Sequence, residues 1–161
     1  MDLAGLKQAL AEVVQSAPGL AQVDVLPAFP VRKHLPLAGA SILLGIDGME
    51  LTPAGLGGFA SEQAGDSASV TVRFDLYDSR GAGADLQLFY EALCGALIQQ
   101  SAAFGLSRVW RDAITWDDAA GSYRLSARAL LRGRARPGAA RQTDANISGF
   151  RLARKDDCDD V

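Results

Sequence analysis

The sequence predicts an α+β domain with a mostly antiparallel sheet of about five or six strands and two main helices on one face. Three observations lead to this prediction. Residues 70–77 alternate between apolar and polar side chains, which is typical of a strand with one buried face. Residues 3–14 and 86–98 repeat their apolar side chains every three or four positions, which is typical of amphipathic helices. Residues 117–121, which include a glycine, join two further strand-like stretches as a hairpin connection.

The first quarter of the chain predicts one helix and two strands. The helix covers residues 2–16, because Asp2 can cap its start and Pro18-Gly19 stops it. Strands follow over 21–26 and 40–46. The three prolines between these strands predict an edge strand or a loop, since proline cannot donate a hydrogen bond to a sheet. Asp47-Gly48 is a turn signal at the end of the second strand.

The glycine-rich segment 48–66 is long for an ordinary connection. It contains Leu51, Leu56 and Phe59, apolar side chains that a free loop would expose to water. Two interpretations remain open. The segment is either a loop folded on its own domain or an extended hairpin arm ordered against a partner, and in the second case these three residues are candidate intersubunit contacts.

The second half predicts a strand, a helix and a strand pair. The strand covers 68–78, the helix covers 84–102 and ends at Gly105, and the paired strands cover 106–116 and 122–134. Gly95 is expected to let the helix lie close to the sheet. Residues 1–134 therefore form one domain, and residues 135–161 form a C-terminal extension that we expect to be partly disordered. The predicted buried face of the helix consists of Leu86, Phe89, Tyr90, Leu93, Leu97 and Ile98.

Charge is distributed in blocks that the net value of −3 conceals. Residues 1–122 contain 7 basic and 14 acidic side chains, whereas residues 123–155 contain 9 basic side chains and one acidic side chain. Residues 156–161 add four aspartates. Such blocks favour contacts between molecules over catalysis.

Side chains that could bind a metal or act as nucleophiles do not cluster in the sequence. The single histidine, His34, has no ligand partner at metal-site spacing. Cys94 lies among helix leucines and is expected to pack as a small hydrophobic residue, while Cys158 lies in the acidic tail. Two such distant cysteines predict no disulfide. We therefore expect no metal, no cofactor and no catalytic residue.

Two other patterns suggest binding or acid–base chemistry only weakly. The carboxylate pairs Asp117-Asp118 and Asp156-Asp157 lie in a turn and in the tail, where solvation keeps such groups ordinary. Gly81-Ala82-Gly83 precedes a helix, but it lacks the GxGxxG spacing and the GK[ST] ending of phosphate-binding loops.

A row of arginines occupies one face of the last predicted strand. Arg124, Arg128, Arg132 and Arg134 point to the same side, because side chains alternate along a strand. Three interpretations remain open for this arginine row: a solvated sheet face, an interface or ring lumen where the arginines meet acidic residues of a neighbouring copy, and a nucleic-acid surface. The third is weakened because no aromatic side chains alternate with these arginines.

The order of the predicted elements resembles that of a known family, and so do four stretches: residues 70–77 (VTVRFDLY), 86–93 (LQLFYEAL), Val109-Trp110 and 123–128 (YRLSAR). By these features the chain resembles the tail-terminator family of tailed bacteriophages, which includes tail-completion and minor tail proteins. The resemblance covers about residues 1–134.

The resemblance implies a sheet with helices on one face and assembly as a ring, expected to be a hexamer, that ends tail-tube growth and offers a surface to the head–tail connector. Its partners would be copies of itself, tail-tube proteins and connector proteins, with DNA only as passing cargo. The expected location is the bacterial cytoplasm during assembly and then the virion or a tail-like particle, because the N-terminus lacks a signal-peptide pattern and no apolar run is long enough for a membrane span.

Other function classes remain open. One is another structural role in the same particle, at the head–tail joint or the baseplate. A second is a small-ligand or nucleotide-binding module whose site lies near Gly83, and a third is an enzyme that the motifs do not identify.

Overall fold

The computed structural model describes residues 3–26, 39–52, 66–78 and 85–135. Within these ranges lie a six-stranded sheet and three helices, so the predicted α+β class is confirmed. In chain order the elements are α1 (Leu3–Gln15), β1 (Asp24–Leu26), β2 (Ser41–Thr52), β3 (Asp66–Asp78), α2 (Asp85–Gln99), α3 (Ser101–Phe104), β4 (Leu106–Arg111), β5 (Thr115–Asp117) and β6 (Ser122–Ala135).

The strands follow the order β1-β2-β3-β6-β4, and β5 pairs with β6 beyond the end of β4. β1 runs parallel to β2, and every other described pair is antiparallel. β3 pairs in register with β6 over its whole length, from Asp66 opposite Ala135 to Asp78 opposite Tyr123. These two long strands form the centre of the sheet and place their polar side chains in matching rows.

The hydrophobic core lies between the sheet and the helices. The alternation predicted for β3 is confirmed, because Val70, Val72, Phe74 and Leu76 are fully buried. The expected placement of both main helices on this side of the sheet also holds, because α1 and α2 contribute to the same core. We call this side the helix-covered face. The fully buried helix residues in this core are Leu10, Val14, Leu86, Leu93 and Leu97.

The turn predicted at Asp47-Gly48 is wrong, because β2 continues through it to Thr52. The register with β3 shifts between Ile46 and Gly48, so Asp47 is the extra residue of a β-bulge. Asp and Gly suit a bulge as well as a turn, and the sequence alone does not separate the two. The first five residues of the glycine-rich segment 48–66 are therefore strand, as is Asp66, and the remainder lies outside the described residues.

Two expectations for α2 are also wrong. Ile98 is 61% exposed, so the buried face ends with Leu97. Gly95 is exposed, and a Cβ there would have no neighbour within 4 Å, so this glycine does not serve a close approach to the sheet. The helix ends at Gln99, and the separate turn of α3 carries the chain to Gly105, which adopts a left-handed conformation with φ of 62°.

The strand predicted over 106–116 is broken into two. β4 ends at Arg111 and β5 begins at Thr115, although both pair with β6. The hairpin connection predicted after β5 is present, and Gly121 there has φ of 61°.

Candidate functional site

The candidate site is the face of the sheet opposite the helices, which we call the arginine face. β6 alternates as predicted, with Leu125, Ala127, Ala129 and Leu131 buried in the core. The intervening side chains of β6 lie on the arginine face, in register with polar residues of β3. Opposite pairs across the two strands are Arg73 with Arg128, Asp75 with Ser126, and Tyr77 with Arg124.

Asp47 joins two arginines of neighbouring strands. Its Oδ1 lies 3.5 Å from Nη1 of Arg73, and its Oδ2 lies 3.0 Å from Nε of Arg128. Arg73 and Arg128 face each other across β3 and β6, where two like charges would repel. The carboxylate at the bulge therefore neutralises a pair of cations that the register forces together.

Two further carboxylates complete this cluster. Asp112, in the break between β4 and β5, lies 2.7 Å from Nη1 of Arg128. Asp75 lies 2.9 Å from Nη2 of Arg73 and accepts a hydrogen bond of 2.5 Å from the Ser126 hydroxyl. Asp75 is only 2% exposed, and a buried carboxylate is tolerated when it is paired in this way.

A second cluster lies near the β5–β6 hairpin. The Tyr77 hydroxyl donates to Oδ2 of Asp117 at 3.1 Å, and Nη1 of Arg124 lies 3.4 Å from the same oxygen. Oδ1 of Asp117 accepts from the backbone N–H groups of Ala119 and Ala120. Asp117 thus stabilises the turn, as predicted for the Asp117-Asp118 pair. Its other carboxylate oxygen binds Tyr77 and Arg124 on the arginine face.

The electrostatics of these clusters favour charged arginines and a neutral tyrosine. Burial raises the pKa of Tyr77 to about 12, and the nearby carboxylates of Asp75 and Asp117 act in the same direction. Hydrogen bonds to Asp112 and Asp47 raise the pKa of Arg128. Burial alone would lower the pKa of Arg124, but its interactions with Tyr77, Asp75 and Asp117 outweigh this and raise the pKa overall.

The arginine row therefore divides along its length. Arg124 and Arg128 pair with carboxylates of their own chain, so neither requires a neighbour's carboxylate for neutralisation. Arg132 is exposed and forms no salt bridge with a described residue. Arg134 lies opposite Ser67 at the far end of β6. Contacts of this row with another subunit stay a prediction.

The far end of the arginine face contains a shallow groove. Glu50, Ser69 and Arg132 lie side by side on β2, β3 and β6, with the serine between the two charges. The groove has a volume of about 340 Å³ and is lined mainly by polar residues. Leu51 lies at the same end of the sheet but on the helix-covered side, and it is 41% exposed. Leu56 and Phe59 lie outside the described residues.

Most of the remaining sequence candidates fall in parts of the chain that the structure does not describe. His34, Cys158, Asp156-Asp157 and Gly81-Ala82-Gly83 lie outside the described residues. Cys94 is a free thiol and is half-buried, so it is less enclosed than expected for a core residue. Across the described ranges, no group of three or more His, Cys, Asp or Glu side chains could hold a metal ion.

The sequence alone does not indicate the acidic half of the arginine face. Asp75 was visible as a polar position in the alternation of β3, and register with β6 would have placed it beside the arginine row. The position of Asp47 could not be predicted, because Asp47-Gly48 is also a turn signal. The contact of Asp112 with Arg128 could not be predicted, because the sequence indicates one continuous strand over 106–116.

Aromatic and cationic side chains also gather at the β4–β5 side of the sheet. The guanidinium of Arg108 lies 5.1 Å from the centre of the Trp110 ring, and that of Arg111 lies 5.6 Å from the Tyr90 ring. Trp116 contacts Tyr123 edge-to-face at 5.1 Å between ring centres.

None of the helices in the described ranges has the length and apolar character needed to span a membrane.

No protein-family model matches the chain, and no curated protein matches it. A chain of a solved structure titled "Virion of native gene transfer agent (GTA) particle" is 20% identical, over 81% of this chain and 92% of that chain. The TM-score is 0.32, which does not establish a shared fold.

Proposed function

We propose that this protein is a structural subunit of a phage or phage-like particle, of the tail-terminator type. It assembles with copies of itself into a ring, expected to be a hexamer, that caps the tail tube and offers a surface to the head–tail connector. It acts through binding and assembly, without catalysis and without a cofactor.

The observation that carries this proposal is the mutual pairing of charges on the arginine face. Three arginines and four aspartates from β2, β3, β5, β6 and the break after β4 neutralise one another within the chain. These ion pairs connect neighbouring strands. The charged groups bind one another and are not free to bind a substrate. A rigid sheet of this kind suits a subunit that must keep its shape in an assembly.

The second line of support is the resemblance of residues 1–134 to tail terminators. The α+β architecture that this resemblance implies agrees with the observed sheet and helices. The exposed end of the sheet near Leu51 and Arg132 is where the glycine-rich segment leaves β2 and returns in β3, as a candidate intersubunit arm would require.

The proposal is tested by assembling tail tubes with and without this protein. The proposal predicts a tail-tube protein among the products of neighbouring genes. That protein is polymerised alone and together with this chain, and tube lengths are measured by electron microscopy. We expect shorter tubes with this chain bound at one end. Tubes of unchanged length that carry none of this chain would contradict the proposal. Binding at the end that lies away from the head would instead favour the baseplate alternative.

A further inference from the structure

The sheet has two different free edges within the described residues. On one side, β4 and β5 each pair only with β6, so residues 106–117 form an edge. On the other side, β1 pairs only with β2. A sheet whose two edges differ can associate head to tail, with the edge of one copy against the opposite edge of the next.

The β4–β5 edge has the composition of a protein interface. Trp116 is 54% exposed and Ile114 is 38% exposed, although both are large and apolar. Arg108 lies on the arginine face, opposite Leu130, and is held over the Trp110 ring. Tryptophan and arginine are the residue types enriched at the energetic centres of interfaces.

Arg108 differs in one respect from the three paired arginines of β3 and β6, and it shares this property with Arg132. Arg73, Arg124 and Arg128 each pair with an aspartate, whereas Arg108 forms no salt bridge with any described residue. Its charge is therefore available to a carboxylate of another molecule.

The opposite edge supplies such a carboxylate. Asp24 begins β1, is exposed, and forms no salt bridge with the described part of the chain. The Val25 side chain is buried in the core, and neighbouring side chains of a strand point to opposite faces. Asp24 therefore lies on the arginine face, as Arg108 does. The two edges thus carry opposite charges on the same face of the sheet.

The contact is expected to use side chains more than backbone pairing. The register of β4 with β6 shifts between Leu106 and Arg108, and residues 112–114 interrupt the edge. Irregularities and charges of this kind limit strand addition at a sheet edge.

We propose that the β4–β5 edge binds the β1 edge of a second copy of this chain, with Arg108 facing the partner's carboxylate and Trp116 covered by the contact. The proposal rests on the self-association in the proposed function and names the surfaces that make it. Repetition of one head-to-tail contact closes a ring when the rotation between copies allows it.

Charge reversal on each edge tests the proposal by sedimentation analysis of the full chain. We expect Arg108→Glu and Asp24→Arg each to weaken self-association by about tenfold or more, because each places like charges at the contact. The double variant R108E/D24R should return to within about threefold of the wild-type protein, because the pair is restored in reverse. Trp116→Ala should also weaken association.

Glu12→Arg is the matched control for Asp24→Arg, because it makes the same charge change at an exposed residue of α1. It should leave association unchanged. Thermal unfolding of each variant separates a lost contact from a lost fold, and the double variant keeps the test valid if one single variant folds poorly.

Four results would overturn the proposal, and they separate it from the proposed function. Self-association that stays unchanged in both single variants would contradict the choice of these two edges and leave the proposed function intact. A double variant that associates no better than the single variants would do the same. A wild-type chain that never associates rejects both proposals. Binding of a labelled single-stranded oligonucleotide that Arg108→Glu abolishes, without any effect on association, would assign the edge to nucleic acid.

Discussion

Asp47 and Arg128 lie 81 residues apart in the chain and meet across three strands of the sheet, with 3.0 Å between Oδ2 of the aspartate and Nε of the arginine. The β-bulge places the carboxylate here, and the register of β3 with β6 places Arg73 beside the same group. The pair is partly exposed, so its value for stability is moderate.

Reversing the charge of Arg128 should therefore affect folding, whereas reversing that of Arg132 should not. Arg128→Glu puts a carboxylate beside Asp47 and Asp112, and we expect it to lower the free energy of unfolding by about 1–2 kcal/mol. Arg132→Glu makes the same charge change four residues along β6 and should stay within about 0.5 kcal/mol. Urea denaturation measures both, and equal effects would mean that the pairing on the arginine face does not stabilise the sheet.

Gly105 is expected to tolerate no side chain. It has φ of 62°, and a Cβ there would overlap the carbonyl oxygen of Arg132, whose own N–H donates to the Gly105 carbonyl at 2.8 Å. Gly105→Ala should cost about 2–4 kcal/mol, from left-handed strain and from displacement of β6. Gly121→Ala is the control, because φ is 61° but a Cβ meets nothing within 4 Å, so about 1 kcal/mol of strain alone remains. Thermal unfolding measures the stability that each variant loses. An equal loss for Gly105→Ala and Gly121→Ala would show that overlap with the Arg132 carbonyl does not contribute.

Tyr77 gives the chain a pH dependence above neutrality. Its pKa in the folded protein is about 12 against 10.0 for an ordinary tyrosine, so the folded state holds the proton more tightly than the unfolded state. Its contribution to the free energy of unfolding is complete below pH 10 and is lost as the pH rises toward 12. Tyr77→Phe should make the free energy of unfolding fall less steeply between pH 10 and pH 12, and it should remove the hydrogen bond to Asp117.

Ultraviolet titration measures the same group directly. At about pH 11, an ordinary tyrosine is about nine-tenths ionised, whereas Tyr77 should be about one-tenth ionised. Tyr90, whose pKa burial also raises to about 12, remains in both proteins, so the difference between wild type and Tyr77→Phe reports Tyr77 alone. A difference that titrates near pH 10 would show that burial of Tyr77 beside Asp75 and Asp117 does not raise its pKa.

Local patterns predicted most elements of this fold, because their signals lie within a few neighbouring residues. The alternation from Val70 to Leu76, the spacing of the α1 leucines and the terminating Gly105 are of this kind. Ile98 is exposed although it follows the apolar spacing of α2, because that spacing does not show how far along the helix the core extends. The pairing partners of the arginine row were not predictable, because Asp47 and Arg128 meet only through the order and register of strands distant in sequence.

The mass of the protein in solution tests the central claim, self-assembly into a ring, most directly. Size-exclusion chromatography with light scattering over a wide concentration range gives this mass without a shape assumption. A closed ring predicts one discrete species whose mass is a whole multiple of 16.9 kDa, six times that value for the expected hexamer. A species that stays at 16.9 kDa at every concentration, alone and with the tail-tube protein present, would contradict it.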